Sequence, residues 1–460
     1  MKLKQVWRVH GFAQNYSWGD PVALHELCDT VPDGKPLAEI WFGTHSDGPA
    51  TLDDGRSLMQ ILDEPAPGAD RPVEGLAYLA KFIAVARPLS LQVHPSRAQA
   101  AAGWERENAQ GIPLHSRERS FKDRNHKPEM LYTLTSWRAL VGFSDPSEVA
   151  RFFSAIGGEL GRRYAALLTR GGIDAFVHDA LTNPPQEALF QEFREGCERI
   201  LATGSEPQVD RARVALEVDE YFPTEPGVLI AAAMNHVRAE AGQAVMVPVN
   251  TVHAYLKGVG LELMASSDNV IRAGLTDKHV DVQELLACAN LAPTRPAFIV
   301  PTPVRGTVPV PTPLLRTAPT PTPVTGPTSV RASVPGPMPL PRPETALAGA
   351  ASGAAPAQSG VESAAAEPVV WRYDPGVPDF QLDLCNTTGG QDPCDTTGGR
   401  VDYYVERDAL VIVLRGDAHI GGEQYSRGSA AYACAGARVV ATGDATVAIV
   451  TEPFGNAPRS

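Results

Sequence analysis

Three short segments far apart in the sequence constrain the fold of this chain most strongly: Gln92-Val93-His94-Pro95, His126-Lys127-Pro128-Glu129 and Val252-His253-Ala254-Tyr255. Together they supply two imidazoles, one carboxylate and one amide oxygen. That is a coordination set for a divalent ion, left incomplete so that water or a bound molecule can complete it. Any fold the chain adopts must therefore carry residue 253 back to residues 92–129. Gln92 and His94 alternate with Val93, so on a strand their side chains share a face, and Pro95 then ends the ladder at an edge or rim. Pro128 restrains the backbone ahead of Glu129, and a turn after Pro248 delivers His253. A single histidine is more often a hydrogen-bonded core residue than a ligand, and a single glutamate more often a surface carboxylate. The combination Gln92, His94, Glu129 and His253 outweighs that plainer reading. With two oxygen donors, two nitrogen donors and no thiolate, the set suits zinc, with manganese, cobalt or iron as substitutes.

The segments around these motifs predict an antiparallel β architecture. Short β-branched and aromatic runs such as 79–85 and 89–93 are bounded by Gly, Pro and Asp turns from residue 1 to about 143. An N-cap pattern at Asp145-Pro146-Ser147-Glu148 opens a helical stretch through Val214, and strand character is expected again at Val228-Leu229-Ile230-Ala231 and 244–248. The β domain is thus expected to be discontinuous, 1–144 plus 220–300, interrupted by a helical insert at 145–219. Between Pro301 and Pro343 fourteen prolines are interleaved with Thr, Val, Gly and Ser, and an Ala/Gly/Ser tract follows. Too little apolar area is available there to offset ordering entropy, so 301–368 is expected to be an extended linker. Residues 369–458 predict a second, smaller β domain without a metal site. Cys385-Asn386-Thr387-Thr388-Gly389-Gly390 and Cys394-Asp395-Thr396-Thr397-Gly398-Gly399 form a local repeat best taken as a loop expansion, with Cys385 and Cys394 able to pair or react if exposed.

A formal net charge of -13 argues against nucleic acid or an anionic membrane as the main partner. Arg8 and His10 stand where a secretory leader requires an unbroken apolar core, and no apolar run is long enough to span a bilayer. Six scattered cysteines show neither zinc-ribbon pairs nor disulfide-scaffold density. A cytoplasmic protein with reduced thiols is expected.

A second cluster lies at Glu262-Leu263-Met264-Ala265-Ser266-Ser267-Asp268-Asn269-Val270-Ile271-Arg272. Strand alternation puts Glu262 opposite Leu261 and Leu263, and a polar turn then delivers Arg272 between Ile271 and Ala273. Arg272 could bridge Glu262 or Asp268 structurally. With His253 close upstream, an anionic ligand is the better partner, and Lys81, Lys127 and Lys278 are further cations for a phosphate clamp.

These motifs, with Tyr16-Ser17-Trp18-Gly19 and Ala38-Glu39-Ile40-Trp41-Phe42-Gly43-Thr44-His45, closely resemble the type I mannose-6-phosphate isomerases over roughly residues 1–291. The resemblance implies a mainly β fold: a cupin-type β-barrel or jelly roll carrying the site, and a smaller cupin-like C-terminal β domain. It implies one zinc per subunit on Gln92, His94, Glu129 and His253. It implies interconversion of mannose 6-phosphate and fructose 6-phosphate through an enediol(ate), supplying GDP-mannose precursors, in a protein expected to be monomeric. Arg272, Lys127, Asp268, His126 and Glu262 are the implied catalytic residues, with Lys127 and Asp268 ranked first as the base. Trp18, Lys81, Ser90, Tyr255 and Lys278 are candidates for substrate binding. A sugar-phosphate sensor would need a broken acid/base set, yet all its members are present. An iron oxygenase of the cupin type would show His-x-His where Gln92-Val93-His94 stands.

Overall fold

The computed structural model describes residues 5–63, 75–278, 280–305, 369–387 and 400–453, and these lie in one compact unit. Most of the expected Pro/Ala-rich linker (306–368), together with Thr388 to Gly399 of the loop repeat, falls outside the described residues.

Two antiparallel sheets carry the architecture. Tyr78–Val85 is buried at all eight positions, because it pairs on one side with Glu39–Phe42 and on the other with His253–Ala265. Such a strand reads as a continuous apolar run, and Lys81 is the one charge inside it. His253–Ala265 is the pivot. Its second half lies between Tyr78–Val85 and Glu129–Thr133, while its first residues pair with Trp137–Phe143. A bulge between Tyr255 and Lys257 bends it from one ladder to the other. Gly258 (φ 135°) allows the bend, since a Cβ there would meet the Trp137 ring at 2.4 Å.

The helical insert starts as expected: Asp145 accepts a hydrogen bond from the Ser147 amide at 2.8 Å, with Pro146 in the first turn. Helices Pro146–Ile156, Gly158–Thr182, Glu187–Thr203 and Glu206–Tyr221 follow, packed around Phe152, Phe153, Tyr164, Phe176 and Phe193. Two local expectations are corrected. Val228 to Ala231 are helical, within Gly227–Ala233, and every residue of that helix is buried. An apolar run without alternation fits either a buried strand or a buried helix, and packing against the insert decided. The supposedly all-β first part also contains the helix Arg97–Ala109, opened by a Ser96/Gln99 capping box that the sequence displays.

The second sheet is built mainly from the C-terminal strands Gln381–Asn386, Ala409–Ile420, Ala430–Ala433 and Arg438–Thr451. Val6–His10 from the other end of the chain joins it, pairing with Ala430–Ala433. The sheets share one core in which Phe82 and Leu261 lie with Leu410, Ile412 and Val450. Tyr78 fastens them, donating to the Val450 carbonyl at 2.7 Å and accepting from the Leu410 amide at 3.2 Å.

Thr302–Arg305 pairs with Val369–Tyr373, bringing Arg305 opposite Val369. The ends of the proline-rich segment are therefore already joined by a ladder. Replacing residues 307–366 with a short hairpin turn is expected to leave cooperative unfolding intact, since the flanking ladder already joins the two ends. Loss of cooperative unfolding in that variant would show that the segment supports the fold.

Candidate metal centre and active site

His94, Glu129 and His253 come from three different strands or strand ends, and their ligand atoms lie within 4.8 Å of one another. Register explains the convergence. Gln92 lies opposite both His253 and Arg272, and Glu129 lies opposite Met264 and Val247. The three residues are essentially sealed from solvent, at 1, 2 and 0 % exposure.

The hydrogen bonds fix which nitrogen of each ring faces inward. His94 Nδ1 donates to the Asn269 carbonyl at 2.7 Å, and His253 Nδ1 donates to the Thr251 carbonyl at 3.0 Å. In the neutral imidazoles each Nε2 then carries a lone pair. Those lone pairs face the Glu129 oxygens at 3.1 and 3.2 Å, and neither Nε2, nor Glu129 Oε2, has a hydrogen-bond partner. Burial pushes the His94 imidazolium down to about 4, despite the Glu129 carboxylate, so protonation of His94 does not relieve its own repulsion near neutrality. Glu129, in spite of its burial, is held well below the usual carboxylate range, with the Lys127 ammonium beside it. Acceptors facing acceptors in a dry site fit a bound cation, and backbone carbonyls on the far nitrogens are the usual way to orient imidazole ligands. The half-buried Gln92 sits in register to add the amide oxygen.

Beside this centre runs a buried charged chain. Lys81 Nζ lies 2.8 Å from both Glu39 Oε1 and Glu262 Oε2, and Tyr255 donates to Glu262 Oε1 at 2.6 Å. Burial alone would lower the Lys81 ammonium, but the carboxylates of Glu262, Glu39 and Glu129 outweigh it and hold it above the usual lysine range. Lys81 is therefore a fixed positive charge. Burial raises Glu262, against the pull of Lys81. Lys127 Nζ lies 3.4 Å from Glu129 Oε1, beside the His94–Glu129–His253 group.

Asp268 and Arg272 flank the turn that supplies the carbonyl for His94. The Asp268 amide donates to Asp123 Oδ2 at 2.8 Å, and Asp268 Oδ1 accepts from His45 Nε2 at 3.0 Å. Arg272 is half-buried. Lys278 is exposed, and its pKa is lowered by partial burial and then by Arg272, with smaller contributions from Lys122 and Arg117. Lys278 and Arg272 thus lie within electrostatic range of each other. Of the remaining expected residues, Trp18 is half-buried and stacks on Tyr16 at 5.6 Å, and Ser90 is half-buried just ahead of Leu91–Val93. His126 is engaged elsewhere, donating from Nε2 to the buried Asp379 at 2.7 Å and so tying the Glu129 loop to the C-terminal part of the chain.

Sequence reasoning passed over three residues that build the site. Glu39 completes the Lys81 bridge. Asn269 accepts from the Lys122 and Asp123 amides and donates to the Asp123 and Asn125 carbonyls, pinning the two loops together. Asp123 anchors Ser267 and Asp268. A charge amid the apolar run 78–85 was the available signal for Glu39, since a buried lysine requires an anion. Asn269 and Asp123 look like ordinary turn residues.

Residues 6–145 match the family model described as phosphomannose isomerase type I, catalytic domain. The chain is 33 % identical over 314 residues to the mannose-6-phosphate isomerase of Salmonella typhimurium, an alignment spanning 64 % of this chain and 76 % of that protein. It is 32 % identical over 295 residues to the Escherichia coli enzyme of the same name, spanning 60 and 72 %. A solved structure of the Salmonella typhimurium enzyme bound to its substrate fructose 6-phosphate and to zinc superposes with a TM-score of 0.73, covering 98 % of this chain and 100 % of that one at 24 % identity, which shows the shared fold. With identity of this level running through most of its relatives' length, and the matched segment holding Gln92, His94 and Glu129, the chain belongs to the type I mannose-6-phosphate isomerase family.

Proposed function

We propose that this protein is a zinc-dependent isomerase that interconverts mannose 6-phosphate and fructose 6-phosphate, with zinc held by Gln92, His94, Glu129 and His253. The observation that carries the metal assignment is the set of inward-facing imidazole lone pairs opposed to a buried carboxylate. The named relatives act on mannose 6-phosphate, and the zinc-bound neighbour carries fructose 6-phosphate. When bound, the ion would supply Lewis-acid stabilisation of negative charge on substrate oxygens.

The rest of the chemistry falls to side chains. The reaction moves one proton between C1 and C2, so a base must take the proton next to the carbonyl and return it to the adjacent carbon while a hydroxyl proton moves between O1 and O2. Asp268 is held ionised and Lys127 lies beside Glu129; this pair is proposed to carry the proton. Lys81, locked as an ammonium, favours the enediolate electrostatically and is unsuited to act as a base. Arg272 with Lys278 is proposed to hold the phosphate dianion, a site where like-charge crowding favours an anionic guest. A cytoplasmic monomer with no nucleic-acid or membrane partner is the accompanying reading; the net charge of -13 speaks against a nucleic-acid partner, and among the described residues no helix is long and apolar enough to cross a membrane.

The test is a coupled assay for fructose 6-phosphate formed from mannose 6-phosphate, before and after chelation and zinc return. Turnover lost to chelator and restored by zinc is expected. Arg272→Ala is expected to abolish turnover with zinc content intact; parallel loss of both would make Arg272 structural. A protein loaded with zinc but devoid of turnover would favour the sensor reading.

A further inference from the structure

We propose that His45 is the positioning residue for Asp268, fixing its carboxylate so that one oxygen is presented to the substrate; this rests on the isomerase reading above. His45 follows the strand Glu39–Phe42, while Asp268 sits on the turn after His253–Ala265, 223 positions away in sequence. The fold brings a nearly sealed ring, 8 % exposed, onto a carboxylate at 36 %.

The ring has one available tautomer. The Asp47 backbone amide, which can only donate, points at His45 Nδ1 at 3.1 Å. The proton of the neutral imidazole therefore sits on Nε2, which donates to Asp268 Oδ1 at 3.0 Å. The ring plane is held as well: the Trp41 ring meets His45 edge-on at 4.9 Å and 71°, and Trp41 Nε1 donates to Glu39 Oε2 at 2.7 Å. His45 thus leans on the same framework that locks Lys81.

The Asp268 backbone is anchored independently. Its amide is bound by Asp123, and the Asn269 carbonyl that follows accepts from His94. Only the side-chain torsions remain to be set, and His45 sets them through Oδ1. Among the described residues no protein donor binds Oδ2, which leaves that oxygen for the substrate. His45, Asp47 and Asp268 also have the spacing of a metal site. The hydrogen-bond assignments make it an ordered dyad, because Nδ1 is occupied by a backbone donor and Nε2 carries the proton.

The charged and titratable groups around Asp268 are His45, Lys122, Lys127, Asp47, Asp123 and Tyr16. Burial raises the Asp268 carboxyl, and the hydrogen bond from His45 brings it back below the ordinary value, aided by Lys122 and Lys127. Without His45 the burial contribution is less opposed, so the carboxylate protonates at a higher pH. The acid limb of the rate profile then moves upward.

The experiment compares wild type, His45→Ala, His45→Asn and His45→Gln as zinc-loaded full-length proteins, measuring kcat and KM against pH, zinc content and thermal midpoint. Glutamine can place an amide donor near the Nε2 position; asparagine imitates Nδ1 and falls short of Asp268. The expected result is a fall in kcat of about 10–100-fold for alanine and asparagine, the range seen when an outer orienting partner is removed. KM and zinc should stay near wild type, the acid limb should rise, and glutamine should recover most of the rate. If the alanine variant does not fold, asparagine carries the same expectation. An unmoved acid limb, a loss confined to KM, zinc loss in step with rate, or glutamine no better than alanine would each overturn the proposal while leaving the isomerase standing. A wild type devoid of turnover would mark failure of the isomerase reading and take this inference with it.

Discussion

Glu129→Gln is expected to invert the protein's response to chelator. In the wild type without metal, a buried carboxylate faces two imidazole lone pairs, an arrangement of acceptors that only a cation satisfies. Glutamine has nearly the same shape but carries an amide donor that one Nε2 can accept. Under chelation the variant should therefore be at least as stable as the wild type. With zinc in excess the order reverses, because the wild type gains binding free energy, about 4 kcal/mol at a thousandfold over Kd, and the variant gains little. Turnover should fall by about 10²–10³-fold or more, since both the charge that balances the ion and the ion itself are lost. Thermal melts of both proteins with and without zinc, alongside metal analysis, check this. A glutamine variant holding full zinc and full rate would remove Glu129 from the ligand set.

Lys81→Met is expected to be the most damaging single change to the framework. The ammonium lies between Glu39 and Glu262, both almost fully buried, and removing it leaves two carboxylates in a dry interior. Breaking such a bridge on one side destabilises by about 3–5 kcal/mol. The pH dependence follows from sign. Glu262 is already raised by burial, and Lys81 is the group that pulls it down. In the variant its folded pKa climbs further above the unfolded value, so the added instability is greatest near neutrality and above. It should shrink as the pH falls toward the unfolded carboxyl range and the buried carboxyl takes up a proton. Lys81→Met with Glu262→Gln should regain much of the stability, with Tyr255 still able to donate to the amide oxygen, but not the activity. Urea unfolding from pH 5 to 8 separates these outcomes; a deficit that grows on acidification would show that the bridge is not the source.

The sequence carried the donor set because coordination chemistry needs specific side chains at specific offsets. Gln92 and His94 alternate with Val93, Pro128 precedes Glu129, and His253 follows a turn, so the residues proposed to hold the metal were identifiable before the fold was known. Asp145-Pro146 marked the start of the helical insert for the same local reason: an N-cap is satisfied within four residues. The apolar run at 228–231 was misread because it contains no alternation and no cap, and only its neighbours could choose helix.

Pairing across long separations was decided by tertiary structure alone. Nothing local joins Val6–His10 to Ala430–Ala433, His45 to Asp268, His126 to Asp379 or Glu39 to Lys81. Each is a contact between groups whose side chains suit many partners, and burial selects one by the cost of leaving a donor, an acceptor or a charge unmatched. The sequence by itself pointed to the proposed metal ligands, the β character around them and the family. The tautomers of His94, His253 and His45, the permanent charge on Lys81 and the Asp268 oxygen that no donor among the described residues binds came only with the folded structure, because proton positions and ionisation depend on which distant groups the sheets bring within hydrogen-bond range.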